Sequence, residues 1–83
     1  MIICIHAKRK KNGQIDEEAT ADIRTFRKED VQEISRNGGG KVLVRAEGEP
    51  GEFWDGVMID GEAILSDELR DALKKLELEA SDG

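Results

Sequence analysis

The sequence has few of the residues on which most enzyme and metal chemistry depends. Its 83 residues include one Cys, one His and no Tyr. A single cysteine, Cys4, excludes an internal disulfide and suits a reducing cytoplasm. Cys4 and His6 would share one face of a strand, but both lie in the most apolar stretch of the chain. A structural zinc site needs more Cys and His than are present. We therefore expect a cytoplasmic protein that is not an enzyme.

Long apolar runs are also absent. None approaches the roughly 20 residues that a membrane-spanning helix needs. The apolar start, MIICIH, has no basic region before it and no small-residue cleavage site after it, so we do not expect a signal peptide. A chain of this length predicts one domain, residues 1–83, because smaller pieces could not bury a core. Residues 80–83 are expected to fray.

Charge, in contrast, is plentiful and unevenly shared. Charged residues are 39% of the chain, and Asn and Gln together number four, a balance typical of thermophilic proteins. Residues 1–45 contain ten Lys and Arg against seven Asp and Glu, which gives +3. Residues 46–83 contain three against twelve, which gives −9. An acidic half attracts cations or basic proteins and repels nucleic acid.

The first part of the chain predicts a β-hairpin. Residues 2–7, IICIHA, are apolar and too few for a helix, and Asn12-Gly13 is a strong two-residue turn signal. Folding the chain about this turn places Lys8 opposite Glu17 and Cys4 opposite Ala21. ATADIRTF, residues 19–26, is then the return strand, although the apolar spacing across residues 16–26 would also suit a helix.

The middle of the chain predicts a helix over residues 28–36 and a strand over residues 41–47. Glu29 and Asp30 suit the start of that helix, and Asn37-Gly38 would end it. The triple glycine at 38–40 would leave a helix and enter a strand. A phosphate-binding loop runs in the opposite order, so a connector is the better interpretation.

The last third of the chain contains an Asp-Gly turn signal and a long amphipathic stretch. FWDGVMI, residues 53–59, predicts a strand that continues through Asp60-Gly61 into a hairpin with EAIL. A regular strand points Phe53 and Trp54 to opposite faces, and Gly56 suggests a bulge. Ser66 is a good N-cap for a final helix. Its apolar stripe is Leu69, Ala72, Leu73 and Leu76.

Together these elements predict an α+β fold in the order β-β-α-β-β-β-α. We expect a mostly antiparallel sheet of about five strands, with two helices on one face forming a second layer. The sheet face without helices, with an outward aromatic ring and Met58, would suit a partner or self-association.

Acidic residues form two clusters that could bind a divalent cation. The first lies around the glycine-rich loop EGEPGE, and the second is a run of three acids at residues 16–18. Calcium takes six to eight oxygen ligands in tolerant geometry, which carboxylates and loop carbonyls supply. The helix-loop-helix calcium pattern is absent, so we expect weak binding, about 0.1–1 mM. The candidate ligands are Glu47, Glu49, Glu52 and Asp55, with Asp16, Glu17 and Glu18 as the second cluster.

These acidic stretches carry a resemblance. EGEPGE and DEE, in a short chain rich in charge, look like those of small archaeal acidic α+β proteins that bind calcium. The resemblance implies calcium as the cation and names no ligand.

An interaction module is the alternative function. Residues 46–83, with a net charge of −9, would dock on a basic protein. In the extreme case the chain would act as a nucleic-acid mimic. We expect no nucleic acid as a partner, since KRKK at residues 8–11 faces acids in the hairpin and has no aromatic residue beside it. No membrane partner is expected.

Overall fold

The computed structural model describes the backbone of residues 1–81 and the side chains of residues 1–75. Within this range the chain forms seven strands, one turn of 3-10 helix and one α-helix. The strands are β1 (Ile2–His6), β2 (Asp22–Phe26), β3 (Val31–Arg36), β4 (Val42–Ala46), β5 (Glu52–Trp54), β6 (Gly56–Ile59) and β7 (Glu62–Leu65). The 3-10 turn spans Lys28–Asp30, and helix α1 spans Asp67–Ser81. The expected fraying concerns residues 80–83, of which residues 82 and 83 lie outside the described chain.

The strands form two antiparallel sheets. The first, which we call sheet A, has the order β2-β1-β6-β7, and the second, which we call sheet B, has the order β3-β4-β5. The α+β class is therefore confirmed. The predicted single sheet of five strands with two helices is wrong in detail, because the chain builds seven strands in two sheets and one α-helix in its described part.

The chain passes from one sheet to the other at Asp55. β5 pairs with β4 in sheet B, whereas β6 pairs with β1 and β7 in sheet A. The single strand predicted over residues 53–59 is thus two short strands, and the change of direction falls just before Gly56. The two rings do separate as expected: Trp54 is buried, and Phe53 is 58% exposed.

The core lies between the two sheets. Alternate residues of β1 and β4 point into it, as strand geometry requires. Its buried members are Ile2, Cys4, Val42, Val44, Trp54 and Val57. The strand predicted over residues 41–47 is present as β4, and its alternate residues Val42, Val44 and Ala46 are all buried.

The helix predicted over residues 28–36 is wrong, and the reason is a β-bulge. The segment forms the 3-10 turn and then β3, whose register against β4 shifts between Val31 and Glu33. One extra residue in a strand reverses the inward and outward alternation. Val31 and Ile34 therefore both pack on the core although they are three residues apart. That spacing imitates a helix in the sequence. The three glycines follow β3, so they connect two strands rather than ending a helix.

The first hairpin turns where predicted but pairs in another register. Gly13 has a φ of 86°, and its N–H donates to the Lys10 carbonyl at 3.0 Å. In the ladder, Cys4 lies opposite Arg24 instead of Ala21. Residues 16–21 lie outside the strands and take up the difference, and the return strand spans Asp22–Phe26.

The end of the chain follows its local signals. Asp60 and Gly61 both have positive φ, 50° and 87°, as a tight hairpin turn requires. Ser66 caps α1 by accepting the N–H of Leu69 on its Oγ at 3.2 Å. The helix lies on the outer face of sheet A, where a Cβ at Gly56 would touch Leu65 and Leu69. In the part of the chain that the structure describes, no second α-helix shares its layer.

Candidate functional site

The predicted cation ligands do not form one cluster, and Asp55 is the clearest case. Its side chain is 2% exposed because it sits where the chain crosses between the sheets. Oδ2 accepts the backbone N–H of Ala7 at 2.9 Å, and Oδ1 accepts Nη2 of Arg9 at 3.0 Å. Arg9 also donates to Glu68 at 2.5 Å. Asp55 therefore ties the first hairpin to the body, which is a structural role.

Glu49 and Glu52 are brought together, but around an arginine. Nη2 of Arg24 lies 2.9 Å from Oε1 of Glu49, and Nη1 lies 3.5 Å from Oε1 of Glu52. The guanidinium of Arg24 also stacks 4.5 Å above the ring of Phe26. The hydrogen bonds that Arg24 donates to Glu49 raise the pKa of Arg24 above its usual range. This set of contacts joins β2 of sheet A to the β4–β5 loop and the start of β5 in sheet B. Glu47 is exposed nearby.

The second acidic cluster is divided by its own contacts. Asp16 Oδ1 accepts the backbone N–H of Glu18 at 3.1 Å, which makes a local turn. Glu17 lies 3.4 Å from Nζ of Lys75 and 3.8 Å from Nζ of Lys10. A hydrogen bond from its own backbone N–H, followed by the charge of Lys75, lowers the pKa of Glu17. Across the part of the chain with described side chains, no three Asp, Glu, His or Cys are grouped closely enough to hold a metal ion.

Ion pairs within the molecule join the basic first half of the sequence to the acidic second half. Arg9, Arg24, Lys28 and Arg36 of the basic first half contact Asp55, Glu49, Asp60 and Asp67, respectively, in the acidic second half. The contacts with Lys28 and with the N-terminal ammonium lower the pKa of Asp60. These pairs offset part of the charge difference between the two halves. The whole chain nonetheless keeps a net charge of −6.

Cys4 and His6 do not form a reactive pair. Cys4 is fully buried, and burial raises the pKa of its thiol to about 11. The thiol therefore stays protonated at neutral pH, when only a thiolate is a strong nucleophile. The ring of His6 stacks on Trp54 instead, with 3.9 Å between the ring centroids.

An open apolar cavity on the outer face of sheet A was missed by the sequence reasoning. We call it the outer groove. Its volume is about 270 Å³, and it lies between the sheet, helix α1 and the segment that follows the first turn. Its apolar walls include Ile5, Met58, Ala63, Leu65, Leu69 and Leu73. Lys8, Asp16 and Glu17 stand at its polar edge.

One sequence signal could have revealed the groove. In IICI, residues 2–5, every residue is apolar, so both faces of β1 are apolar. A strand with two apolar faces belongs to a sheet that is covered on both sides. One side of β1 meets the core through Ile2 and Cys4. The other side, with Ile5, meets α1 and the groove.

Among the described helices, none has the length and apolar character to cross a membrane. Comparison with protein-family models, with curated proteins and with solved structures finds no match to this chain. The resemblance to archaeal calcium-binding proteins stays a prediction.

Proposed function

We propose that the chain is a small protein-interaction module that binds its partner in the outer groove. The observation that carries the proposal is an open cavity with almost entirely apolar walls on an otherwise highly charged domain. Leu73 lines it and is 41% exposed. Apolar surface that α1 leaves uncovered on a sheet face is typical of a binding site.

The size and edge of the groove define the partner. A cavity of about 270 Å³ accommodates one bulky apolar side chain, the kind of anchor that dominates protein interfaces. Charges of both signs line it, namely Lys8, Asp16 and Glu17. The net charge of −6 favours a basic partner through long-range attraction. We infer a basic protein that presents an apolar anchor.

A peptide titration followed by amide NMR shifts tests this function. The probe is a Lys-rich peptide with one central Trp, compared with the same peptide carrying Ala in place of Trp. We expect the Trp peptide to cause saturable amide shifts around Ile5, Met58, Ala63 and Leu73, and the Ala peptide to cause none. Ala63→Arg should abolish them, whereas Phe53→Arg, a matched change on the other sheet, should not. Shifts that spread over the carboxylates and survive Ala63→Arg would refute the proposal.

Weak calcium binding is a second candidate function. It is supported by the convergence of Glu49 and Glu52 on one positively charged group, the guanidinium of Arg24. A calcium ion would have to take the place of that group, with Glu47 and loop carbonyls as further oxygen ligands. Glu49→Gln and Glu52→Gln should then weaken calcium binding, measured by NMR against magnesium at fixed ionic strength. Unchanged affinity in both variants would rule out these ligands.

A further inference from the structure

Strand β2 is an open sheet edge. It pairs with β1 on one side, and no strand of the described chain pairs with its other side. Its first four residues are exposed on both faces. An edge strand of this kind presents unpaired N–H and C=O groups to any strand that approaches.

The other edge strands are less suitable for pairing. β3 is interrupted by its bulge next to Val31, β5 has three residues, and β7 has four residues. Bulges and short strands are the usual ways in which proteins block sheet edges. β2 has five residues in regular register and no proline. It is the longest regular edge in the described part of the molecule.

The residues of β2 are complementary to themselves. If two copies of β2 pair antiparallel about Ile23, each Ile23 lies opposite Ile23 of the second copy. Asp22 then lies opposite Arg24 of the second copy, and the reverse pair forms by symmetry. Directly opposite side chains in such a ladder lie about 4.5–5.5 Å apart at Cβ, and opposite charges stabilise it. The chemistry of this short strand thus favours one register with a second copy.

The exposure of Ile23 supports this arrangement. Ile23 is 63% exposed, although its neighbour in the ladder, Ile5, belongs to the apolar outer face of sheet A. Pairing about Ile23 would bring the apolar outer faces of the two sheets A side by side, with the two Ile23 side chains next to each other at the dimer axis. The charged neighbours are accessible too: Asp22 is 67% exposed and Arg24 is 42% exposed. Each already has an intramolecular partner, Lys8 or Glu49, and still presents an open side.

We propose that two copies of the chain associate through β2, in antiparallel pairing centred on Ile23, to join their sheets A into one eight-stranded sheet. The interface is isologous, as expected for a two-fold dimer. It involves another surface than the outer groove, so it goes beyond the proposed binding function. It would place two grooves on one continuous sheet face.

Charge exchange tests the register. We expect the mass of two chains by light scattering at high protein concentration. Asp22→Arg and Arg24→Asp, each alone, put like charges opposite each other and should weaken the dimer about tenfold. When the two variants are mixed, the arginines of one face the aspartates of the other. Heterodimers should then form and be visible by native mass spectrometry.

Two further variants separate this dimer from other associations. Ile23→Lys should leave a folded monomer, checked by circular dichroism. In a dimer paired about this position, the two introduced positive charges would lie against each other and oppose association. Ala63→Arg, in the outer groove, should leave the dimer intact. A single-chain mass at every concentration would overturn the proposal. So would a dimer that survives Ile23→Lys, or single-charge variants that regain no association when mixed.

Discussion

Arg9 and Asp55 form a 3.0 Å ion pair between the first hairpin and the point where the chain changes sheets. The side chain of Asp55 is 2% exposed, whereas that of Arg9 is 29% exposed and reaches Glu68 of α1 with its other amino group. These contacts with Glu68 and Asp55 raise the pKa of Arg9 above its usual range. Three parts of the fold thus meet at one arginine.

Removing Arg9 should destabilise the domain strongly. Arg9→Met would leave the carboxylate of Asp55 buried without its cation, and breaking a buried pair in this way costs about 3 kcal/mol. Urea denaturation measures the loss. Lys8→Met is the matched control, because its partner Asp22 is 67% exposed and surface pairs contribute at most about 1 kcal/mol. Similar losses in the two variants would contradict a structural role for the Arg9–Asp55 pair.

The same region shows what the sequence could and could not reveal. Three local signals predicted the structure correctly: the Asn12-Gly13 turn, the Asp60-Gly61 turn and the Ser66 cap are all present. Asp55 was placed in a surface cluster because its neighbours in the chain are acids. Its burial depends on β5 and β6 joining different sheets, and on Arg9, 46 residues earlier, reaching it. Neither the sheet change between β5 and β6 nor the contact with Arg9 can be inferred from the residues next to Asp55.

The helix over residues 28–36 was predicted from Glu29, Asp30 and Asn37-Gly38, and the pairing of β3 with β4 overrides these local signals. A bulge next to Val31 gives two inward residues a helical spacing, and this bulge is defined only by the pairing of β3 with β4. Likewise, the acids of EGEPGE looked free to bind cations. Two of them are instead held by Arg24, whose strand lies in the other sheet. Pairings between distant segments decide these features, and local sequence patterns do not specify which distant segments pair.

Arg24→Gln should increase calcium binding if Glu49 and Glu52 are ligands. The substitution removes the positive charge on which both carboxylates converge, so a cation would meet less competition. We expect a severalfold lower Kd for calcium, with NMR shifts confined to residues 47–55. Arg45→Gln, a change of equal charge on the neighbouring strand, is the control. Equal effects of the two substitutions would indicate general electrostatics in place of a site.

Gly39→Ala should destabilise the connection between the β3–β4 turn and α1. The Gly39 carbonyl accepts the N–H of Asp67 at 2.8 Å, and an added Cβ would collide with the Asp67 carboxylate. That carboxylate also accepts Nη2 of Arg36 at 2.7 Å. We expect a loss of about 1–2 kcal/mol in the free energy of unfolding. In an Asp67→Ala background the same change should cost little. Equal costs in both backgrounds would show that Asp67 is not the cause.

Alkaline pH should destabilise the fold through Cys4. Burial is the main reason that the pKa of its thiol is about 11, against 9.0 for an ordinary thiol. The unfolded chain therefore loses this proton at lower pH than the folded chain does. Stability that is fully present below pH 9.0 is lost as the pH rises towards 11.

The size of this effect and its assignment can be measured together. A shift of this size corresponds to about 2–3 kcal/mol across the window. Cys4→Ala should be less stable at neutral pH, because it leaves a small cavity in the core. Its free energy of unfolding should nevertheless fall less steeply with pH, since no thiol remains to titrate. Lysines contribute equally to both proteins, so the difference between the two urea-denaturation profiles isolates Cys4. Parallel profiles would show that the buried thiol does not govern the alkaline limit.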